Sequence, residues 1–237
     1  MDAAVTSISL TGLILAFLPA LIVIAILYRW TIVAQTAVYA TLRMLVQLML
    51  IGYVLVYIFE TDQPWVIMSV LAVMPVVASW IAIRPLQGRQ LHLYLHALIA
   101  ISVGGAPTLA LVSQAVIDVH PWFNPRYVVP LAGMIFAGSM NSVSLAGERF
   151  QAEIDRGAPS AAARRSALQA SLIPMINSLF AVGLGSVPGM MTGQILSGVS
   201  PLIAARYQIV VMTMLFGASG ISAAIYLVLA GRRLAKP

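Results

Sequence analysis

Seven long apolar runs leave this chain little choice of fold. They are Ile8–Tyr28, Ala37–Phe59, Trp65–Ile83, Leu93–Val116, Tyr127–Ala146, Ser171–Val187 and Tyr207–Ala230. A helix crosses the hydrocarbon core of a bilayer with about 20 apolar residues, and each run is of that order. Only 8% of the residues are charged, against roughly 25% in a soluble domain. Little of the 237-residue chain is left to build a soluble domain. The expectation is an all-α integral membrane protein, one transmembrane domain over 1–237. The first apolar run follows Asp2 rather than a basic segment, so no cleavable signal is expected.

The connectors between the runs alternate in charge. Arg29, Arg84, Arg89, Arg149, Arg156, Arg164, Arg165, Arg232, Arg233 and Lys236 fall on one side of a seven-span arrangement. Arg126 and Arg206 fall on the other, with Asp2, Glu60, Asp62 and Asp118. Short cytoplasmic loops carry the excess of Lys and Arg. Seven crossings, with the N-terminus outside and the C-terminus in the cytosol, keep the basic clusters together. Six or eight would divide them.

The stretch Gly147–Pro174 is a polar island in this apolar chain. It holds Glu148, Arg149, Glu153, Asp155, Arg156, Arg164 and Arg165, seven of the 20 charged residues. Its order is a charged helix, Gly157-Ala158-Pro159-Ser160, then an alanine- and arginine-rich helix. Pro159 suits the first turn of a helix, where a missing N–H costs nothing. A short amphipathic cytosolic helix over 147–170, between the fifth and sixth spans, is expected to dock on a partner. A plain charged loop is the alternative.

Polar residues inside the spans are few. Arg43 and Gln47 stand four apart, on one helix face. Arginine is expensive in lipid, so Arg43 is expected to face protein or water, either as a substrate-path residue or paired with helix carbonyls or an anionic ligand. Asn141 and Ser142 in the fifth span, and Asn177 and Ser178 in the sixth, complete a candidate substrate path. Met190 and Met191 lie beside it in sequence, and thioethers favour soft ions. His92 and His96 have the i, i+4 spacing that chelates metal, but no carboxylate accompanies them, so an interfacial role is preferred. Gly104-Gly105-Ala106-Pro107, Gly133-x-x-x-Ala137 and Gly217-Ala218-Ser219-Gly220 suit close helix packing. The apolar, Pro/Gly-rich segment 188–206 is expected at the outer leaflet as a short helix or re-entrant turn, because irregular backbone there needs cover.

Several chemistries are excluded. Cysteine is absent, which removes disulfides, thiolate metal sites and cysteine nucleophiles. The single lysine is Lys236, so no phosphate-binding G-x-x-x-x-G-K-[S/T] loop exists. If ATP drives this protein, a separate subunit binds it. No Asp or Glu lies inside the seven runs, which counts against proton coupling.

The run Pro188-Gly-Met-Met-Thr-Gly-Gln-Ile-Leu-Ser-Gly-Val-Ser-Pro201, followed by Arg206-Tyr207-Gln208-Ile209-Val210, resembles the signature of the FetB-like iron-export ABC permeases. That group includes plant permeases linked to aluminium tolerance. Arg43-x-x-x-Gln47-Leu48 with Gly52-Tyr53, Ala132-Gly133-Met134-Ile135 with Met140-Asn141, and Gly157-Ala158 with Leu172-Ile173-Pro174 agree with it. The similarity covers about Arg43 to Tyr226. The polar island is also similar to the EAA loop of ABC importers: Gln151-Ala152-Glu153 stands three residues before Gly157. It departs in its leading Gln and in a longer Gly-to-Pro spacing. In place of the family's Leu-Gly-Ala-Thr-Pro turn this chain reads Arg156-Gly157-Ala158-Pro159-Ser160, so its docking helix is expected to start one residue earlier.

The resemblance implies a permease homodimer in the inner (plasma) membrane, surrounded by lipid and bound to two copies of an ATP-binding cassette subunit. It implies metal export, iron in particular, with no catalytic residue or cofactor in this chain and no nucleic-acid partner. Glu153, Arg156, Gly157, Arg164 and Arg165 would be the coupling residues. The rival readings are a secondary transporter or channel, and an ABC permease for a nucleotide sugar or lipid. An intramembrane serine enzyme using Ser219 and His96 is disfavoured, because no oxyanion donors accompany them.

Overall fold

The computed structural model describes residues 8–31, 33–61, 63–86 and 91–234, with side chains as far as Gly231. Asp2, Asp62, Arg89 and Lys236, and the side chains of Arg232 and Arg233, lie outside the described residues. Regular structure among the described residues is helical apart from one isolated bridge between Val182 and Ser186. Six helical segments have the length and composition to cross a membrane: Leu10–Trp30, Ala34–Glu60, Pro64–Ala82, Leu91–Val116, Pro125–Asp155 and Pro201–Gly231.

Residues 1–62 form one compact unit and 63–237 another. The first contains α1 (Leu10–Ala16), α2 (Leu18–Trp30) and α3 (Ala34–Glu60). The first apolar run is therefore two helices. Pro19, at the start of α2, has no N–H to bond back to Leu15, so the helix is interrupted at Phe17. Most side chains here are apolar and exposed, Leu21, Ile22, Leu48 and Tyr53 among them, as befits helices with no aqueous face.

The second unit contains α4 (Pro64–Ala82), α5 (Leu91–Ala110, extended by a π-helical turn Leu111–Val116), α6 (Pro125–Asp155), α7 (Ser160–Ala181), α8 (Gly189–Leu196) and α9 (Pro201–Leu234). Helices α5, α6 and α9 pack together at its centre, and small residues set their separation. A Cβ on Gly104 would collide with Ser222 of α9, and one on Gly105 would meet the Phe136 ring at 2.7 Å. Gly138 faces Ser219 in the same way, at 3.1 Å. Ile101, Ile135, Val143 and Tyr226 fill the space between these crossings. Close backbone approach maximises the dispersion contacts that hold helices together in lipid.

The polar island is not a free helix between two spans. Helix α6 runs unbroken to Asp155, and α7 starts at Ser160 and passes through Pro174 to Ala181. The physical reason is propensity: Ala, Glu, Gln and Arg on both sides of the turn are strong helix formers. The pairs Arg149–Glu153 and Gln151–Asp155 add i, i+4 support. Gly157 stops α6. It takes φ +83°, while its N–H and that of Ala158 bond the carbonyls of Ile154 and Glu153, the Schellman arrangement that favours glycine. Pro159 stands at the N-cap position of α7, one residue before its first turn, and makes no side-chain cap bond.

The segment after α7 also differs from the seven-run reading. The sixth run ends early, at Ala181, and α9 starts at Pro201 rather than Tyr207. Between them, α8 packs on α9 and ends in a second Schellman turn at Gly198, φ +88°.

The second unit has two chemically distinct ends. At one, the α6–α7 turn, the end of α4 and the end of α9 converge: Gly147 approaches Leu86, and Gly231 approaches Ser160 and Arg164. Arg84, Arg149, Arg156, Arg164 and Arg165 belong to this end. At the other, Ile117, Arg126, Met190 and Tyr207 line one cavity, and Asp118 and Arg206 lie nearby in the chain. At about 1.5 Å per residue the 31 residues of α6 extend about 46 Å, well beyond a hydrocarbon core of about 30 Å.

Candidate functional site

A groove of about 430 Å³ runs between α6, α7 and α9. Its polar lining is Asn141, Ser142 and Ser144 from α6, Ser171 and Ser178 from α7, and Ser219 from α9. Gly138, Asn141, Ser142 and Leu145 share one face of α6 by their i, i+3 and i+4 spacing, and Gly138 lets that face approach Ser219 of α9. The Ser171 and Ser178 hydroxyls donate to their own helix, to the Leu168 and Pro174 carbonyls at 2.8 and 2.9 Å. Their oxygens remain acceptors toward the groove. No lining residue carries a formal charge. Such a surface suits a weakly held or hydrated cation, or a donor-rich solute, over a tightly chelated ion.

The structure brings together part of the expected path. Asn141, Ser142 and Ser178 line the groove, and Met175 joins them. Asn177 is exposed on α7 and is not among the lining residues. Met190 lines the cavity at the Arg126 end, whereas Met191 lines an apolar cavity with Met212 and the buried Gln208. Adjacent residues on α8 point about 100° apart, and so they part company. Arg43 is half-buried and Gln47 exposed on α3, in the first unit. Ser171 and Ser219 were not legible as groove residues, since one opened an apolar run and the other read as packing.

The α6–α7 hairpin is the second functional element. Glu153 pairs with Arg149 at 2.6 Å and lies 3.7 Å from Arg156. The Arg149 Nε–H donates to the Ser166 hydroxyl at 3.3 Å, tying α6 to α7. A small core of Ala146, Phe150, Ala163, Ala167, Ala223 and Leu227 fastens the hairpin to α9. The stem of Arg164 lies over Gly231, while Arg165 is exposed. Glu153 and Arg164 are thus partly built into the hairpin, and Arg156 and Arg165 are presented outward.

His92 and His96 form an edge-to-face ring pair with centroids 5.9 Å apart. They line a cavity of about 180 Å³ with Gln151 and Tyr226, at the hairpin end. Among the described residues no group of three or more His, Asp or Glu side chains stands together.

Long apolar helices packed through small residues, with a polar groove between three of them and a charged hairpin at one end, define a multi-pass α-helical membrane protein. The chain belongs to the family described as "Uncharacterised protein family (UPF0014)", whose model matches residues 10–235. It is 38% identical to UPF0014 membrane protein slr1647 of Synechocystis over 72% of this chain and 71% of that one. It is 35% identical to the probable iron export permease protein FetB of Escherichia coli, over 76% and 74% of the two chains. The protein ALUMINUM SENSITIVE 3 of Arabidopsis thaliana is 32% identical over 78% of this chain and 72% of its own length. No solved structure matches.

Proposed function

We propose that this chain is the permease subunit of an ATP-driven metal exporter, with iron as the first candidate substrate. The observation that carries the reading is the α6–α7 hairpin. A chain with no nucleotide-binding loop of its own holds out two charged helix ends from a packed bundle, on an element fastened to α9. The name of the Escherichia coli relative adds the substrate. A separate ATP-binding cassette subunit docks on Arg156, Arg165 and the Gly157 turn, and binds all the ATP; this chain needs no cofactor.

In this reading the protein lies in the plasma membrane, the inner membrane of a bacterium, with its N-terminus outside and its C-terminus and hairpin in the cytosol. Helix α7 supplies the seventh crossing. It begins beside Gly231 at the hairpin end and finishes among α8, Gln208 and Ile209 at the other. Its 22 residues reach about 33 Å. Its first half is less apolar than the other crossings because Arg164, Arg165, Ser166, Gln169 and Ser171 occupy it. The groove is the substrate path, and a second copy of the chain covers it. Polar groups such as Asn141 are not left facing hydrocarbon, and a homodimer would bind two ATPase copies.

Co-expression with candidate ATP-binding cassette proteins tests the reading. The chain is expected to co-purify with one of them in a two-plus-two complex and to raise its ATP hydrolysis. A purified chain that moves metal down or against a gradient with no such partner would replace this reading with a channel or secondary transporter.

A further inference from the structure

We infer that His92 and His96 form a binding site for a divalent transition-metal ion at the hairpin end of the molecule. The two imidazoles stand one helical turn apart on α5, the spacing at which a helix offers both rings to one ion. Their centroids are 5.9 Å apart, edge to face. With metal–nitrogen bonds of about 2.0–2.1 Å, two rings on one tetrahedral ion have centroids roughly 5 Å apart. A modest turn of one ring closes the difference.

Both rings line a cavity of about 180 Å³, whose other polar residues are Gln151 and Tyr226. The Gln151 amide donates one N–H to Asp155 at 2.9 Å, and its carbonyl oxygen is an acceptor. The cavity wall thus carries two imidazoles, a carboxamide and a phenol, and water from the exposed Gln151 side would complete the shell of an ion held by the imidazole pair. Imidazole suits Zn, Cu, Fe and Ni, and affinity rises along the series from Fe(II) to Cu(II). The site is separate from the serine groove, whose oxygens suit weak binding.

The position gives the site a consequence. His92 and His96 belong to α5, Gln151 to the charged end of α6, and Tyr226 to α9. An ion held among them links three helices beside the docking hairpin. That the site faces the ATPase side rests on the function proposed above; that it binds metal does not.

The test separates the two. Untagged full-length protein in detergent is titrated with Co²⁺, whose visible ligand-field bands report imidazole coordination. One Co²⁺ per chain is expected, and His92→Ala and His96→Gln are each expected to weaken binding at least tenfold. The third histidine, His120, lies 3.1 Å from Asp118 at the opposite end, and His120→Ala is expected to leave the titration unchanged. Circular dichroism and size-exclusion profiles identify any variant that misfolds, and His96→Gln keeps most of the side-chain volume. No Co²⁺ bands in the wild type, or bands that survive both His92 and His96 substitutions, would overturn the site. Loss of the bands only in His120→Ala would move it to the other end and overturn it equally.

Discussion

Gly104 and Ser222 meet so closely at the crossing of α5 and α9 that no side chain fits between them. A Cβ at Gly104 would lie 2.9 Å from the Ser222 backbone nitrogen and 3.1 Å from its Cα. Backbone cannot swing aside as a flexible side chain can, so the helices themselves would have to separate. Forcing extra carbon into a packed core costs typically about 1–3 kcal/mol. Gly104→Ala is expected to lose stability by that amount, and Gly104→Leu to fail to accumulate. Gly217, on the same helix as Ser222, has nothing within 4 Å of its would-be Cβ. Gly217→Ala is expected to be neutral or to gain up to about 1 kcal/mol. Thermal aggregation midpoints in detergent compare the two directly.

The hairpin separates surface chemistry from architecture. Arg165 is exposed, whereas the stem of Arg164 packs on Gly231. Arg165→Glu is therefore expected to lower stimulation of the ATPase while leaving the permease's stability within about 0.5 kcal/mol of the parent. Arg164→Glu should lower both. Gly157→Ala meets no atom within 4 Å but must hold φ +83°, at a cost of roughly 1–2 kcal/mol. Equal ATPase stimulation by the parent and Arg165→Glu would remove Arg165 from the contact.

Topology is testable because the chain has no cysteine of its own. Single cysteines at Asp118 and Arg156 mark opposite ends of the second unit. In intact cells an impermeant maleimide is expected to label position 118 and not 156, and both after permeabilisation. Labelling of 156 in intact cells would reverse the orientation.

The groove predicts a graded loss of transport. Asn141→Leu and Ser178→Val replace polar lining with apolar groups of similar size. Together they are expected to slow transport by roughly tenfold, equivalent to about 1.4 kcal/mol, with ATPase assembly intact. Asn177→Leu, off the lining, is expected to have the smaller effect. Full transport in the Asn141/Ser178 pair would place the path elsewhere.

Much of this architecture is legible in the sequence because length and hydropathy are local properties. Apolar runs mark α3, α4 and α5 and the start of α6 within a few residues, but the fifth run stops at Ala146 while α6 continues through its charged end to Asp155; the Pro/Gly-rich segment marks α8. The full length of α7 is not legible from hydropathy, which reports preference for lipid, whereas Ser160–Ala170 continues the helix through propensity and through the packing of Ala163 and Ala167 on α6 and α9. Pro19 divides the first run by removing one backbone donor, a single atom that no average over twenty residues registers. The groove was half legible. Asn141, Ser142 and Ser178 stood out as polar residues among apolar ones, but Ser171 and Ser219 join them only through the packing of α6, α7 and α9, which no single run reports. Met190 and Met191, adjacent in sequence, go to different cavities because a helix turns between them.

Reconstitution of the chain with its ATP-binding subunit in proteoliposomes tests the central claim most directly. Fe²⁺ under anaerobic conditions and Mg-ATP are supplied outside, so that outward-facing hairpins meet ATP and metal together. The account predicts Fe²⁺ accumulation in the lumen that requires ATP, the ATPase subunit and an intact hairpin. Accumulation that proceeds without ATP or without the subunit, or ATP hydrolysis by the assembled complex with no metal movement, would contradict it.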